Sequence, residues 1–483
     1  MIDDLMHERK RKLEVLKNAG LSPYPGKVLR THVIHEFLSY FARFKKTGKK
    51  VVLAGRIVGL RNQGGVLFFD IRDEGGMVQC VAKKELLKNY ETIADILDIG
   101  DFVEVRGNAF ITKSGQKSVQ INSLRMLTKS LRPLPSQWHG LHDIETRLRK
   151  RYLDLLSDPN LKELFLKKEK FWAAVREFLI KEGFHEVETP VLVPIPGGAD
   201  AEPFQTHHNA LDETFFLRIS LEIPLKKIIA GGFEKVFEIG RVFRNEGIDR
   251  EHLQDFTFME FYWAYHDYHD LMRLTERMVK EVIKKTTGSL STNFQGRKIN
   301  WSKKWNVIQY CEIFKKINHF DPSHATLDVL QKHAQKINLE FDPSLSKGRL
   351  IDLIYKKTVR PTLIEPVFLI NPPIELVPLA KRTDENPKLA ARMQIVACGT
   401  ELGNGYTELN DPIDQRERLK EQERLKLEGD KEAQSFDEDF IEAMEYGMPP
   451  MAGFGFSERL FAVLMDRPMR EAVIFPLMRR KKT

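Results

Sequence analysis

The chain has 483 residues, 42% hydrophobic and 30% charged, the balance of a globular protein with room for two or three domains of roughly 100–200 residues each. Those proportions exclude a disordered, collagen-like or membrane-dominated chain, and no run approaches the roughly 20 apolar residues that span a bilayer. The formal net charge of +8 is uneven, +11 over residues 1–150 (27 Lys+Arg, 16 Asp+Glu) and −3 over the rest (49 and 52), as in a near-neutral body with a polyanion-binding appendage.

The opening MIDDLMHERKRK places charges where a secretory signal has its apolar core. Cys80, Cys311 and Cys398 are too far apart for a C-x-x-C motif. Buried thiols in a reducing, cytoplasmic compartment are the expectation. Leu5, Leu13, Val15 and Leu16 predict a helix over 3–19, ending at Gly20 ahead of Pro23 and Pro25, within a helical extension of residues 1–50. From Val51 the texture changes to short β-rich runs, VVLAGRIVGL, VLFFDIR, MVQCVA, DFVEVRGNAFI and SVQINSLRML, separated by Gly-containing turns. Five strands over 51–131 fit an OB-fold barrel, an architecture that offers a face to oligonucleotides. Pro133 and Pro135 suit a linker over 132–145.

Residues 146–483 read as a larger α+β body. A long amphipathic helix over 161–182 breaks at Gly183 and leads into EVETPVLVPI, and 411–446 contains an exposed charged helix over RERLKEQERLKL. No P-loop G-x-x-x-x-G-K-[ST] is present, so nucleotide chemistry here needs another architecture.

Three separated segments, read together, are specific. Lys181–Val191 forms a helix–turn–strand joint with Pro190 on the strand. GRVFRNEG followed by HLQDFTFMEFYWAY alternates as two antiparallel strands around a loop at 247–255, and PPMAGFGFSERLFAVL is glycine-rich and reaches Arg459 at a helix start. Together they resemble the three motifs of class II aminoacyl-tRNA synthetases. The phrases RLRKRYLDLL, PGGADAEPFQTHHNALD, FFLRISLEIPLKKIIAGGFEKVFEIGRVFRNEG, PIELVPLAKR and ELGNGYTELNDPIDQ extend the likeness to class II lysyl-tRNA synthetases over essentially the whole chain. The resemblance implies an anticodon-binding OB barrel and a catalytic core built on an antiparallel six-stranded sheet flanked by helices. It also implies a homodimer with the Pro190 joint at its interface, and ATP, L-lysine, tRNA(Lys) and Mg²⁺ as partners.

Amino-acid activation brings a carboxylate onto the α-phosphorus of ATP, so the site must neutralise phosphate charge. By motif matching, Arg244 bridges the substrate carboxylate and the α-phosphate, work suited to a planar fork of donors. Glu246, His252, Phe256, Glu401 and Arg459 fall in the ATP site, with Phe256 stacked on adenine and Arg459 on its other face or on the γ-phosphate. A lysine ammonium loses its water on entering a pocket, so acids must receive it. Glu222, Glu408 and the Tyr262 hydroxyl match the family's ε-ammonium cage, Gly198 and Glu260 its α-amino contacts, Asn404 its carboxylate contact and Tyr406 its side-chain slot. Glu401 and Gln394 match the metal ligands, with a neutral amide where an acid is usual. Arg61, Phe68 and Gln79 match the positions that read the central anticodon base by stacking and edge hydrogen bonds.

The pattern departs elsewhere too. Glu251, His252 and Leu253 stand where Arg-His-Asn is usual, leaving Arg250 as a substitute cation. Gly453 and Gly455 run into Ser457, Glu458 and Arg459 without a third glycine. Glu202 and Leu221 replace an arginine and a proline. Two other readings stay open on these residues, a catalytically impaired RNA-binding relative and a paralogue that modifies protein lysines.

Overall fold

From Val51 onward, inward apolar residues alternate with outward ones, and the alternation builds a barrel. Strands β1 (Val51–Asn62), β2 (Val66–Arg72), β3 (Met77–Lys83), β4 (Phe102–Ile111) and β5 (Lys117–Thr128) close in the order β1-β2-β3-β5-β4, with β4 returning to pair with β1. Leu53, Ile57, Phe69, Ile71, Val103, Val105, Val119 and Ile121 fill the interior. The expected OB-type barrel is present. The predicted first helix runs Ile2–Asn18 and is tied to the same unit through Arg9, whose guanidinium donates to the carbonyls of Ile99, Ser130 and Arg132.

The computed structural model describes residues 2–134, 143–247, 252–343, 345–430 and 433–480 and divides into two units, Met1–His142 and Asp143–Thr483. Most of the expected linker, residues 135–142, lies outside the described residues, as do Arg250 and Glu251. Among the described residues no helix is long and apolar enough to cross a membrane.

The second unit opens with short helices and the long helix Pro159–Lys181, started by the Asp158 cap and Pro159 in its first turn. Its strands follow in chain order: β6 (His185–Glu186), β7 (Leu192–Val193), β8 (Gln205–His208), β9 (Glu213–Leu217), β10 (Lys235–Phe243), β11 (Asp255–Ala264), β12 (Ser291–Phe294), β13 (Arg297–Asn300), β14 (Asn306–Gln309), β15 (Val367–Ile370), β16 (Arg392–Ala397), β17 (Thr400–Thr407) and β18 (Met451–Ser457). Eight of these make one sheet, β14-β15-β16-β17-β18-β11-β10-β6. Its six central strands, β15 to β10, are antiparallel throughout, and the short strands β14 and β6 add a parallel edge at each end.

Helices Pro159–Lys181 and Tyr268–Thr287 cover one face. Phe171, Val175, Phe178 and Leu179 of the first, and Leu271, Leu274, Met278 and Val282 of the second, recur at three- and four-residue spacing and join Met259, Phe261, Phe454 and Phe456 in the main core. Asp267 caps the second helix by accepting from the His269 and Asp270 amides, an arrangement worth ~1 kcal/mol. Because side chains alternate along a strand, packing the odd-numbered residues of β11 under the helices leaves the even-numbered ones for the opposite face.

Candidate active site

That opposite face floors a cavity of about 300 Å³ lined by Phe256, Phe258, Glu260 and Tyr262 from β11. Sheet register gathers the rest. Tyr262 lies across from Gly453, which lies across from Tyr406; one step along, Glu260 faces Gly455, which faces Asn404. The glycines of β18 clear the floor, since a methyl on Gly453 would run into the Tyr262 ring and the Glu408 carboxylate. On the rim, Gly198 has φ +82° and sits so close to Ser220 and Glu222 that a side chain would collide with both.

One end of the cavity is acidic. Glu222, at the start of helix Glu222–Ala230, has both carboxylate oxygens 2.7 Å from the Tyr406 hydroxyl. Glu260 accepts from the Ser220 hydroxyl at 2.6 Å, the Leu221 amide at 3.2 Å and the Tyr262 hydroxyl at 3.2 Å. Glu408 is buried beside them, and neither of its oxygens accepts a well-aligned hydrogen bond. Burial, with the charge of Glu222 adding to it, raises the Glu260 carboxyl to about 7 against its three donors. Burial also pushes Glu408 well above the carboxylate range, with Lys226 opposing and Glu222 and Glu260 reinforcing. The Tyr262 and Tyr406 hydroxyls, raised by burial and then by Glu222, remain protonated donors.

The other end is cationic. Arg244 is fixed by its Nε–H donating to the Ile219 carbonyl at 3.1 Å, and its guanidinium lies 5.4 Å from the Phe256 ring and 5.7 Å from that of Phe258. Burial pulls the Arg244 pKa down while Glu246 and Glu260 pull it up, and a guanidinium stays charged. Arg459, Glu246, His252 and Glu401 line the same cavity. Thirteen sequence-predicted residues therefore meet in one place: Gly198, Glu222, Arg244, Glu246, His252, Phe256, Glu260, Tyr262, Glu401, Asn404, Tyr406, Glu408 and Arg459.

The sequence profile of "tRNA synthetases class II (D, K and N)" matches residues 143–479, and that of an OB-fold nucleic acid binding domain matches 51–127. Curated relatives named lysine–tRNA ligase align from end to end. That of Carboxydothermus hydrogenoformans is 42% identical over 483 residues, covering 99% of this chain and 98% of the relative. That of Roseiflexus castenholzii is 42% identical with both chains fully covered, and that of Staphylococcus saprophyticus 40% identical with 99% of each covered. The chain belongs to the class II tRNA synthetases, in the lysine–tRNA ligase family.

In this synthetase Gln394 stands beside the cavity with its amide nitrogen donating to Glu401 at 2.5 Å. Among the described residues no group of three or more His, Cys, Asp or Glu is gathered for a metal ion. One carboxylate with a neighbouring amide oxygen cannot enclose a divalent cation, but it fits one whose other ligands are phosphate oxygens and water.

On the barrel, Arg61 of β1 is the cross-strand partner of Phe68 of β2. Phe69 is 1% exposed in the core, which turns Phe68 outward with Asp70. Burial raises Asp70, and the nearby Arg61 opposes it. Gln79 lies opposite Asp70, only 5% exposed, and its side-chain oxygen accepts from the Ser118 hydroxyl at 3.0 Å.

Sequence reasoning passed over Ser220, Lys226, Phe258 and Arg392. Arg392 donates to the Asn404 side-chain oxygen at 2.6 Å, which leaves the Asn404 amide nitrogen for a ligand. Phe258 was signalled by its two-residue spacing from Phe256 and Glu260, and Lys226 by its position four residues after Glu222 on a helix.

Proposed function

We propose that the synthetase activates L-lysine with ATP to lysyl-adenylate, releasing pyrophosphate, and transfers lysine to the 3′ end of tRNA(Lys). The observation that carries this reading is the buried acidic end of the cavity, where Glu222, Glu260 and Glu408 converge, opposite an arginine end. A lysine zwitterion fits that polarity. Its ε-ammonium goes to Glu222, Glu408 and Tyr262, its α-ammonium to Glu260 and the Gly198 carbonyl, and its stem lies along Tyr406. The Asn404 amide and Arg244 take its carboxylate. An aspartate or asparagine substrate would bring a carboxylate or amide to this acidic end, where, among the described residues, the nearby Lys226 is already paired with Glu222 and Glu408.

Arg244 orients the attacking carboxylate and stabilises the charge developing on the α-phosphate, a role for a fixed donor in a dry site. Phe256 stacks on adenine, with His252, Glu246 and Arg459 on the nucleotide. Glu401, with Gln394 and the substrate phosphates, would hold Mg²⁺, which would supply neutralisation of phosphate charge. Arg61, Phe68 and Gln79 contact the anticodon. The exposed apolar side chains Tyr152, Leu156, Leu166, Ile474, Phe475 and Leu477 in the catalytic unit support a homodimer, and a role in translation supports a cytoplasmic location.

Lysine-dependent ATP–pyrophosphate exchange, followed by charging of tRNA bearing a UUU or CUU anticodon, tests the reading. Exchange supported by another amino acid and not by lysine would overturn it.

A further inference from the structure

Behind the acidic end stands a cation that the substrate does not meet. Lys226 is fully buried, one turn after Glu222 on the same helix, and is not among the residues that line the cavity. Its ammonium donates to Glu222 Oε1 at 2.5 Å, makes ion-pair contact with Glu408, and lies 5.5 Å from the Tyr406 ring and 5.9 Å from the Phe440 ring. Among the described residues the two glutamates are its only hydrogen-bonding or ionic partners. Burial pulls its pKa down, but the two carboxylates outweigh burial and hold it above the ordinary lysine value.

We propose that Lys226 sets the charge of the lysine subsite, acting as a fixed counter-ion that lets Glu222 and Glu408 both stand ionised in the lysine complex, from the side opposite the cavity; the inference rests on the lysine reading above. The argument is one of charge balance. Three carboxylates and Lys226 sum to −2, and the two ammonium groups of bound lysine bring the loaded subsite to zero. Without Lys226 the same complex would carry an uncompensated buried negative charge, which a low-dielectric interior resists by retaining a proton. The proton would settle on the Glu222–Glu408 pair and remove an acceptor that the ε-ammonium needs.

The charged and titratable groups facing this pair are Lys226 from its own helix, Glu260 and Tyr262 from β11, and Tyr406 from β17. Helix Glu438–Glu445 presents Phe440 to Lys226, and its Asp439 pairs instead with Lys227. No other cation on these elements is placed to take over. Lys226 is thus a positioning residue, acting on substrate through the two acids.

The test compares wild type, Lys226→Gln and Lys226→Arg in lysine-dependent pyrophosphate exchange from pH 6 to 9, with lysine binding measured separately by calorimetry. Wild-type exchange with lysine is read first, so failure of the lysine reading shows there and not in the variants. Lys226→Gln is expected to raise the lysine KM at least tenfold at pH 7, to leave the ATP KM within twofold, and to move the acidic limb of kcat/KM for lysine up by one pH unit or more. Lys226→Arg keeps the charge and is expected to keep the limb within a few tenths of a unit of wild type, even where poorer fit raises KM. An unmoved limb in Lys226→Gln, tighter lysine binding in that variant, or an equal shift in Lys226→Arg would each overturn the proposal. If Lys226→Gln does not fold, a Lys226→Arg limb displaced by a full unit still refutes it.

Discussion

Lysine binding to this synthetase should depend on pH through the acids of its pocket. In the free protein Glu260 titrates at about 7 and Glu408 is also raised, chiefly because burial penalises their charged forms. A lysine side chain is an ammonium ion throughout the neutral range and pairs only with ionised carboxylates. Binding therefore lowers these pKa values and expels the protons they held. The sign follows: affinity is complete above the free-protein pKa and is lost as pH falls through it. For one group at about 7, the protonated fraction at pH 6 and at pH 8 implies an affinity about tenfold weaker at pH 6, or ~1.4 kcal/mol; a contribution from Glu408 steepens it. Calorimetry of lysine binding in two buffers of different ionisation enthalpy reads both the affinity and the protons released, and Glu260→Gln should abolish most of the tenfold change. Equal lysine affinity at pH 6 and pH 8 with no proton release would show that the acids are already ionised in the empty pocket, and the reasoning from burial would fail.

Arg244→Ala should depress adenylate formation by about a hundredfold or more, because it removes a donor aimed at charge that develops in the transition state; unchanged pyrophosphate exchange would contradict its placement. Phe68→Ala should cost tRNA charging about 1–3 kcal/mol in kcat/KM through lost stacking while exchange stays intact. The neighbouring Phe69→Ala should instead destabilise the barrel by about 3–5 kcal/mol in denaturant unfolding. Gln394→Glu should lower the Mg²⁺ concentration giving half-maximal exchange, since a second carboxylate would join Glu401 near the phosphates; a titration unmoved by the change would take Gln394 out of metal binding.

The five barrel strands and the pair Lys235–Phe243 and Asp255–Ala264 could be read from alternation, as could the helices Ile2–Asn18 and Pro159–Lys181 from their spacing. The edge strands of the main sheet could not, because two residues at His185–Glu186 and four at Asn306–Gln309 are too short for any period to show. In VLFFDI, alternation turns one of Phe68 and Phe69 outward without saying which; barrel closure decides it by burying Phe69. Gln79 shows a further limit. Its motif position suggests an edge reader, but whether its amide is spent within the barrel depends on the parallel pairing of β3 with β5, which brings Ser118 to it. No local pattern announces a parallel partner nearly forty residues away.

The acidic residues of the pocket were legible as residues, but not as charges. Glu222, Glu260 and Glu408 come from a helix start, a strand and a strand end, and their protonation depends on the register that places Gly453 between Tyr262 and Tyr406 and draws the three together. The division of labour along the cavity then follows from distance to the reacting atoms. On the proposed reading, acids at the side-chain end grip an ammonium that is the same in ground and transition states, so changes there should appear in lysine KM. Arg244, on the same reading, lies where charge is redistributed between carboxylate, α-phosphate and leaving group, so its loss should appear in kcat. Lys226 belongs with the first group although it touches no substrate, because it acts through the charge state of the acids that receive lysine. A pocket that selects a cation therefore depends on a buried cation of its own.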